Sequence, residues 1–203
     1  QVYLVVKRTI GGATKRYVEF FSNFDFGSDI EDAFFVDSGL TYDGSAATTI
    51  SGLDHLEGET VSILANGSTH PDKVVSSGSI TLDRSVTKAH VGLSYDSTLQ
   101  TMRIDAGGTE GTAQGKIKRI HEITLRLFRT VGIQVGSQDS ELDRIPFRSS
   151  ADAMDTALPL FTGDKEVEFR GGFDNDGFIV IKQNQPLPAT VLAIFPRLQT
   201  FDQ

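Results

Sequence analysis

Short alternating runs, each closed by a turn signal, set the rhythm of this chain. Residues 2–8 and 15–21 form two strand-like runs joined across Ile10-Gly11-Gly12-Ala13, a glycine-rich hairpin signal. Thr60, Val61, Ser62, Ile63 and Leu64 make a run rich in β-branched residues, suited to a half-buried pleated surface. Asn66-Gly67 ends that run with the dipeptide that most readily reaches positive φ at a hairpin turn. Further short strands are expected at 46–50, 73–75, 79–82 and 88–91, a spacing that indicates a barrel or small sandwich. The pattern therefore predicts an opening hairpin (1–37), an inserted small β-barrel (38–100) and a main β domain (101–203).

The clearest periodicity lies at 117–131. Ile117, Ile123, Leu125, Leu127 and Val131 are apolar, and Lys118, Glu122, Thr124, Arg126 and Thr130 alternate with them. That is period two, a long strand with one buried face. Residues 24–33 read as an acidic loop with one helical turn, and 149–157 as a short helix stopped before Pro159. Residues 167–170 and 178–182 read as a hairpin around 171–177, followed by the rigid corner Gln185-Pro186-Leu187-Pro188. A last buried strand is expected at 190–195 and a frayed tail at 197–203. The fold class that follows is all-β: a mixed antiparallel sheet or sandwich with an inserted small β-barrel subdomain and at most one short helix.

Composition narrows the chemistry. A chain of 203 residues can bury roughly 70% of its unfolded surface, so it needs no staple. It has no cysteine, which excludes disulfides, thiolate catalysis and cysteine-rich zinc sites. It has no tryptophan either, and fourteen phenylalanines carry the aromatic bulk. No apolar run approaches the ~20 residues of a membrane helix, so no membrane anchor is expected. The chain opens within a strand pattern and without a methionine, as expected of a fragment of a longer polypeptide.

Charge changes the picture more. The formal charge is −8, which argues against tight wrapping around nucleic acid but not against a channel along which DNA slides. Residues 116–129 nevertheless hold Lys116, Lys118, Arg119, Arg126 and Arg129 against Glu122 alone. The sign reverses over 139–155, where Asp139, Glu141, Asp143, Asp152 and Asp155 stand against Arg144 and Arg148. Opposed patches suit subunit contact, because complementary fields set register. Lys116, Lys118, Arg119, Arg126, Arg129, Asp139, Glu141 and Asp143 are thus the candidate interface residues; the alternative is two unrelated solvated faces. Lys7, Arg8, Lys15 and Arg16 cluster near the first hairpin's tip, as a solvated end or a partner contact.

Candidate catalytic and metal chemistry is thin. Asp174-Asn175-Asp176-Gly177 resembles part of a calcium loop, but Gly172 and Gln183 stand where ligands are needed, so a hairpin turn is the better reading. His55, His70, His90 and His121 have no paired ligand spacing and read as surface or turn residues. The glycine-rich stretch 107–112 lacks the lysine of a phosphate loop. Asp54, Glu57 and Glu59 are neighbouring carboxylates without evidence of a cleft between them. No cofactor or metal site and no catalytic residue is expected.

Several pieces carry a family likeness. They run from Asp37-Ser38-Gly39-Leu40-Thr41-Tyr42 through residues 52–67 to Val91-Gly92-Leu93-Ser94-Tyr95, then Gly111-Thr112-Ala113-Gln114-Gly115-Lys116. Ile145-Pro146-Phe147-Arg148, Leu160-Phe161-Thr162-Gly163-Asp164 and Gln185-Pro186-Leu187-Pro188 complete the series. In order and number these resemble the C-terminal part of the tail nozzle proteins, or tail tubular proteins B, of short-tailed bacteriophages. Ser94 departs from the pattern, which has proline there. The segment 40–99 is also similar to the small β-barrel half-domain of ubiquitin-activating enzymes, without a catalytic residue to carry over.

The nozzle resemblance implies a non-enzymatic virion protein located in the tail. Its copies would form a homo-oligomer, a hexamer, below the tail adaptor protein and beside tail fibres, with double-stranded DNA passing transiently through the tube. The rival expectation is a carbohydrate-binding β module contacting host glycan, with Tyr42, Tyr95, Phe173 and Phe178 as a sugar platform.

Overall fold

The computed structural model describes residues 2–105, 112, 115–154 and 156–201. Over these residues the protein is all-β, with antiparallel sheets and no helix of seven residues or more. The chain divides into two compact units, one of residues 1–95, 151–159 and 185–187, the other of 96–150, 160–184 and 188–203.

In the first unit, β1 (Tyr3–Ile10) and β2 (Ala13–Phe20) pair along their whole length, with Ile10 opposite Ala13. A 3-10 turn, Ile30–Asp32, is the helical turn expected in the acidic loop; a second one spans Asp54–Leu56. A four-stranded sheet follows in the order β3-β6-β4-β5, from β3 (Asp37–Ser51), β4 (Thr60–Ala65), β5 (Ser68–Val74) and β6 (Ser79–Leu93). This sheet is open, which corrects the expected barrel. The segments 79–82 and 88–91 are the two ends of one fifteen-residue strand. Register shifts in β3 between Asp43 and Ala47 and between Ala47 and Thr49 let the pair bend where separate staves were expected to turn.

Apolar side chains of this sheet form one core, and Ile10 of the hairpin belongs to it, with Tyr17 packed alongside. The opening hairpin therefore folds with the four-stranded sheet, not with residues 101–203. The expected helix at 149–157 is not formed among the described residues (Asp155 lies outside them). A nine-residue segment containing Ser149, Ser150 and Asp152 is too short to carry the cost of nucleation alone.

The second unit has two sheets. One, in the order β10-β9-β12-β7, uses β7 (Ser97–Gln100), β9 (Gln134–Gln138), β10 (Glu141–Arg144) and β12 (Val180–Gln183). The other places β8 (Ile117–Thr130) between β11 (Phe161–Glu168) and β13 (Val191–Phe201). Residues 167–182 are thus no hairpin: β11 pairs with β8, whereas β12 lies between β9 and β7. Both strands satisfy their backbones with distant partners, and the loop between them carries the chain from sheet to sheet. Residues 197–201 are not frayed either, since β13 follows β8 down to the pair Phe201–Ile117, and residues 202 and 203 lie outside those described.

The long strand is where the alternation placed it, but its phase is not constant. Arg197 faces Glu122 while Leu198 faces Ile120, which leaves His121 without an opposite residue. This bulge moves the inward face by one position. Ile123, Leu125 and Leu127 point into the core above it, whereas Lys118 and Ile120 are the buried residues below it.

Candidate functional site

That change of phase builds the concave site of the second unit. Below the bulge, Lys118 and Ile120 turn toward a cavity of about 460 Å³, lined also by Thr98 and Gln100 of β7, Val180 of β12 and the loop from Phe169 to Phe178. The end of β9, the start of β10 and the turn between them add Gln138, Glu141 and Asp139.

Lys118 is 2% exposed and acts as a strut. Its Nζ donates to the Asn175 carbonyl at 2.7 Å. Its backbone N–H donates to Asp174 O at 2.7 Å, and Asp174 N–H donates back to Lys118 O at 2.9 Å. Asp174 Oδ2 accepts from Gly177 N–H at 3.0 Å, so Asp-Asn-Asp-Gly is a turn, but not the expected hairpin turn, since β11 and β12 do not pair. Partial burial pushes the Asp174 carboxyl up, but the N–H groups of Gly177, Asp176 and Asn175 and the Lys118 charge hold it below the usual carboxylate range. Phe173, still 63% exposed, is fixed by Phe201 at 5.3 Å between ring centroids and by the Arg119 guanidinium at 5.5 Å.

The eight interface candidates all belong to the second unit, yet they do not form two opposed free patches. Lys118 is a correction, since a buried ammonium presents no charge to a neighbour. Arg126 makes a forked pair with Asp164 of β11, at 2.8 and 2.9 Å. Hydrogen bonding to that guanidinium holds the Asp164 carboxyl below its ordinary range. Asp139 is met by Lys182 at 3.1 Å and Asp143 by Arg170 at 3.5 Å. Arg119 lies over Phe173, Arg129 over Phe128 at 5.1 Å, and Lys116 is half-buried. Lys118, Asp139 and Glu141 line the same cavity. The residues missed were Thr98, Gln100 and Gln138; the available signal was Ile120, an isoleucine out of phase with the rest of its strand.

Other candidates resolve into structure. Glu57 accepts the N–H groups of Ser77 at 2.9 Å and Gly78 at 2.7 Å, which lower its pKa and make it a turn clamp. His70 and His90 are buried, 7% and 4% exposed, which corrects their reading as surface or turn residues. His90 Nε2 lies 2.8 Å from Glu31 O and so carries the proton, leaving Nδ1 to accept from Thr41 Oγ1 at 2.9 Å. The described residues contain no cluster of His, Asp and Glu able to hold a metal, and no helix among them is long and apolar enough to cross a membrane. The glycine-rich stretch 107–112 lies outside the described residues except for Thr112. Of the aromatic platform, Phe173 and Phe178 line the cavity, while Tyr42 and Tyr95 belong to the first unit.

The first unit offers a different surface, the outer face of β1–β2. Tyr3 pairs with Phe20 and Val5 with Val18, and all four are exposed, the valines at 73% and 75%. Lys7 and Arg16 pair next along the same face. The inner face is tied down: Arg8 donates to Glu19 at 3.1 Å and to Asp37 at 2.8 Å, and Tyr17 Oη donates to His55 O at 3.3 Å. Only two of the four cations noted near the tip, Lys7 and Arg16, therefore lie on the outer face.

No protein-family model matches the sequence, and no curated protein matches it either. What the fold and its surfaces define is an antiparallel all-β protein of two units, one with an uncovered apolar hairpin face and one with a polar, aromatic-lined cavity.

Proposed function

We propose that this chain is a non-enzymatic structural subunit of a bacteriophage tail, a ring-forming nozzle or tail-tube component through which viral DNA is ejected. The observation that carries the assembly reading is the outer face of β1–β2, with Tyr3, Val5, Val18 and Phe20 uncovered. A two-stranded ribbon is marginal in water by itself, and each large apolar side chain it exposes is worth roughly 1.5–3 kcal/mol when fully covered. The occupant we assign to this face is a second copy of the chain, docked by a different surface. Such heterologous contacts close into rings when the rotation closes. The ordered motifs that resemble those of tail nozzle proteins support a place in the virion tail, a hexamer with the adaptor and fibres as neighbours, and DNA as cargo. A net charge of −8 suits a conduit that DNA traverses without adhering.

The test is sedimentation and negative-stain imaging of the polypeptide that carries this chain, with and without its adaptor. Rings are expected, and Val5→Lys with Val18→Lys is expected to leave an unchanged circular dichroism spectrum and a monomer. A monomer under every condition, or rings indifferent to the double substitution, overturns the proposal.

A further inference from the structure

We infer that the cavity of the second unit is a binding site for a neutral saccharide. Three observations lead there, none of which depends on the assembly reading.

The first is a division of labour among the polar side chains. Lys118, Asp139 and Asp174 are engaged within the protein, with Asn175 O, Lys182 and the turn N–H groups. Thr98, Gln100, Ser137, Gln138 and Glu141 line the same cavity, and among the described residues their side chains take no hydrogen bond. Two hydroxyls and two amides offer donors and acceptors together, as a polyol requires, since each sugar hydroxyl both donates and accepts. The strands explain their convergence: Thr98 and Gln100 lie two apart on β7 and so share a face, and Gln100 stands opposite Val180, another lining residue.

The second is the aromatic wall. Phe169, Phe173 and Phe178 line the cavity, and Phe173 keeps most of its ring in the open although its neighbours fix its orientation. An ordered, solvent-facing ring beside unengaged amides suits the apolar C–H face of a pyranose, and ordering it in advance reduces the entropy lost on binding. The third is charge. Asp139, Glu141 and Asp174 outnumber Lys118, and the ammonium is already used, so phosphate, sulfate and nucleic acid are disfavoured. At about 460 Å³ the cavity is within the range of small-molecule clefts, roughly 300–1,000 Å³.

The experiment uses the 203-residue chain in saturation-transfer NMR and calorimetry with maltohexaose, cellohexaose, chitohexaose and a mannan hexasaccharide, with heparin hexasaccharide as the anionic comparison. Saturable binding of at least one neutral hexasaccharide, and none of heparin, is expected. Gln100→Ala and Gln138→Ala should each weaken that binding by about two- to tenfold. Phe173→Ala should weaken it by about tenfold. All three positions are exposed, and unchanged circular dichroism spectra confirm folding. Phe195→Ala, an exposed ring outside the cavity, should leave affinity unchanged. Failure of every neutral hexasaccharide to saturate, preference for heparin, or binding indifferent to the glutamine and Phe173 substitutions overturns the inference.

Discussion

Two hairpins in the first unit close on the same turn geometry and meet opposite fates. Gly11 and Gly12 join β1 to β2 with φ of 57° and 78°; Asn66 and Gly67 join β4 to β5 with φ of 47° and 71°. Both loops have two residues with left-handed backbone, which matches the twist of the flanking strands. Around Asn66, however, the chain supplies a neighbour: the Asn66 side-chain carbonyl accepts from Thr87 N–H at 3.1 Å and Lys88 N–H at 3.0 Å on β6. β4 is then buried on both faces from Val61 to Ala65, while β1–β2 keeps Tyr3, Val5, Val18 and Phe20 in solvent. The turn sets register in both. Whether a face becomes core depends on what else packs against it, and for the outer face of β1–β2 we assign that role to another subunit.

The sharpest test of this contrast is truncation. Ile63, 0% exposed in β4, should cost about 3–4 kcal/mol as Ile63→Ala in urea unfolding. Val5→Ala, at an exposed strand position, should cost less than about 0.5 kcal/mol. Similar losses at the two sites would break the comparison. Next in size are the turns. An alanine Cβ at Gly67 would sit 2.5 Å from Ile30 Cγ2, whereas at Gly12 it would meet nothing within 4 Å. Gly67→Ala should therefore cost about 2–3 kcal/mol, backbone strain plus displacement of Ile30, and Gly12→Ala only about 1 kcal/mol of strain.

Arg8→Ala comes third, at about 1 kcal/mol, because it releases the inner face of β1–β2 from Glu19 and Asp37. Amide exchange should rise in β1 and β2 while β4 stays protected. The same pair makes the first hairpin acid-sensitive. Burial pushes the Glu19 carboxyl up, but hydrogen bonds from Arg8 and Ser38 leave it below its ordinary value. Its contribution is then complete above the unfolded carboxylate pKa, near ~4.3, and is lost as pH falls through the lower folded value. Exchange followed down through the carboxylate range should show β1–β2 losing protection there. In Arg8→Ala that acid dependence should shrink.

How far these features were legible follows from where their causes lie. Asn66-Gly67 was readable because two adjacent residues contain the whole reason for the turn. The long strand was readable as period two, but its phase was not: the bulge at His121 is imposed by residues 197 and 198 of β13, seventy-odd positions away. Ile120 alone hinted at it. The basic run of β8 was legible as charge, but the carboxylate that neutralises Arg126 arrives from β11, beyond the reach of a local count. In the cavity, the Asp174 turn and the rings of Phe173 and Phe178 were in view. Thr98, Gln100 and Gln138 are ordinary polar residues until β7, β9 and β12 bring them together.

The smallest effect separates the two hairpins by pH. His90 stands on β6 opposite Leu64 of β4 and holds the Ile30–Asp32 turn through Glu31 O. Burial pushes its imidazole pKa down, against the hydrogen bond to Glu31 and the nearby Asp32 and Asp43, which favour protonation; Lys88 opposes it. A histidine whose folded pKa lies below its unfolded value, near ~6.5, stabilises fully above that value, and the contribution declines as pH falls toward the folded pKa. The urea midpoint should therefore be slightly lower at pH 5.5 than at pH 7.5, with β4–β6 protection falling first, and His90→Gln should remove the difference. The covered hairpin would thus respond to mild acidity through a buried imidazole, whereas the uncovered one responds only near the carboxylate range through an ion pair. A midpoint that rises on acidification to pH 5.5, or a pH dependence that survives His90→Gln, would place the titrating group elsewhere.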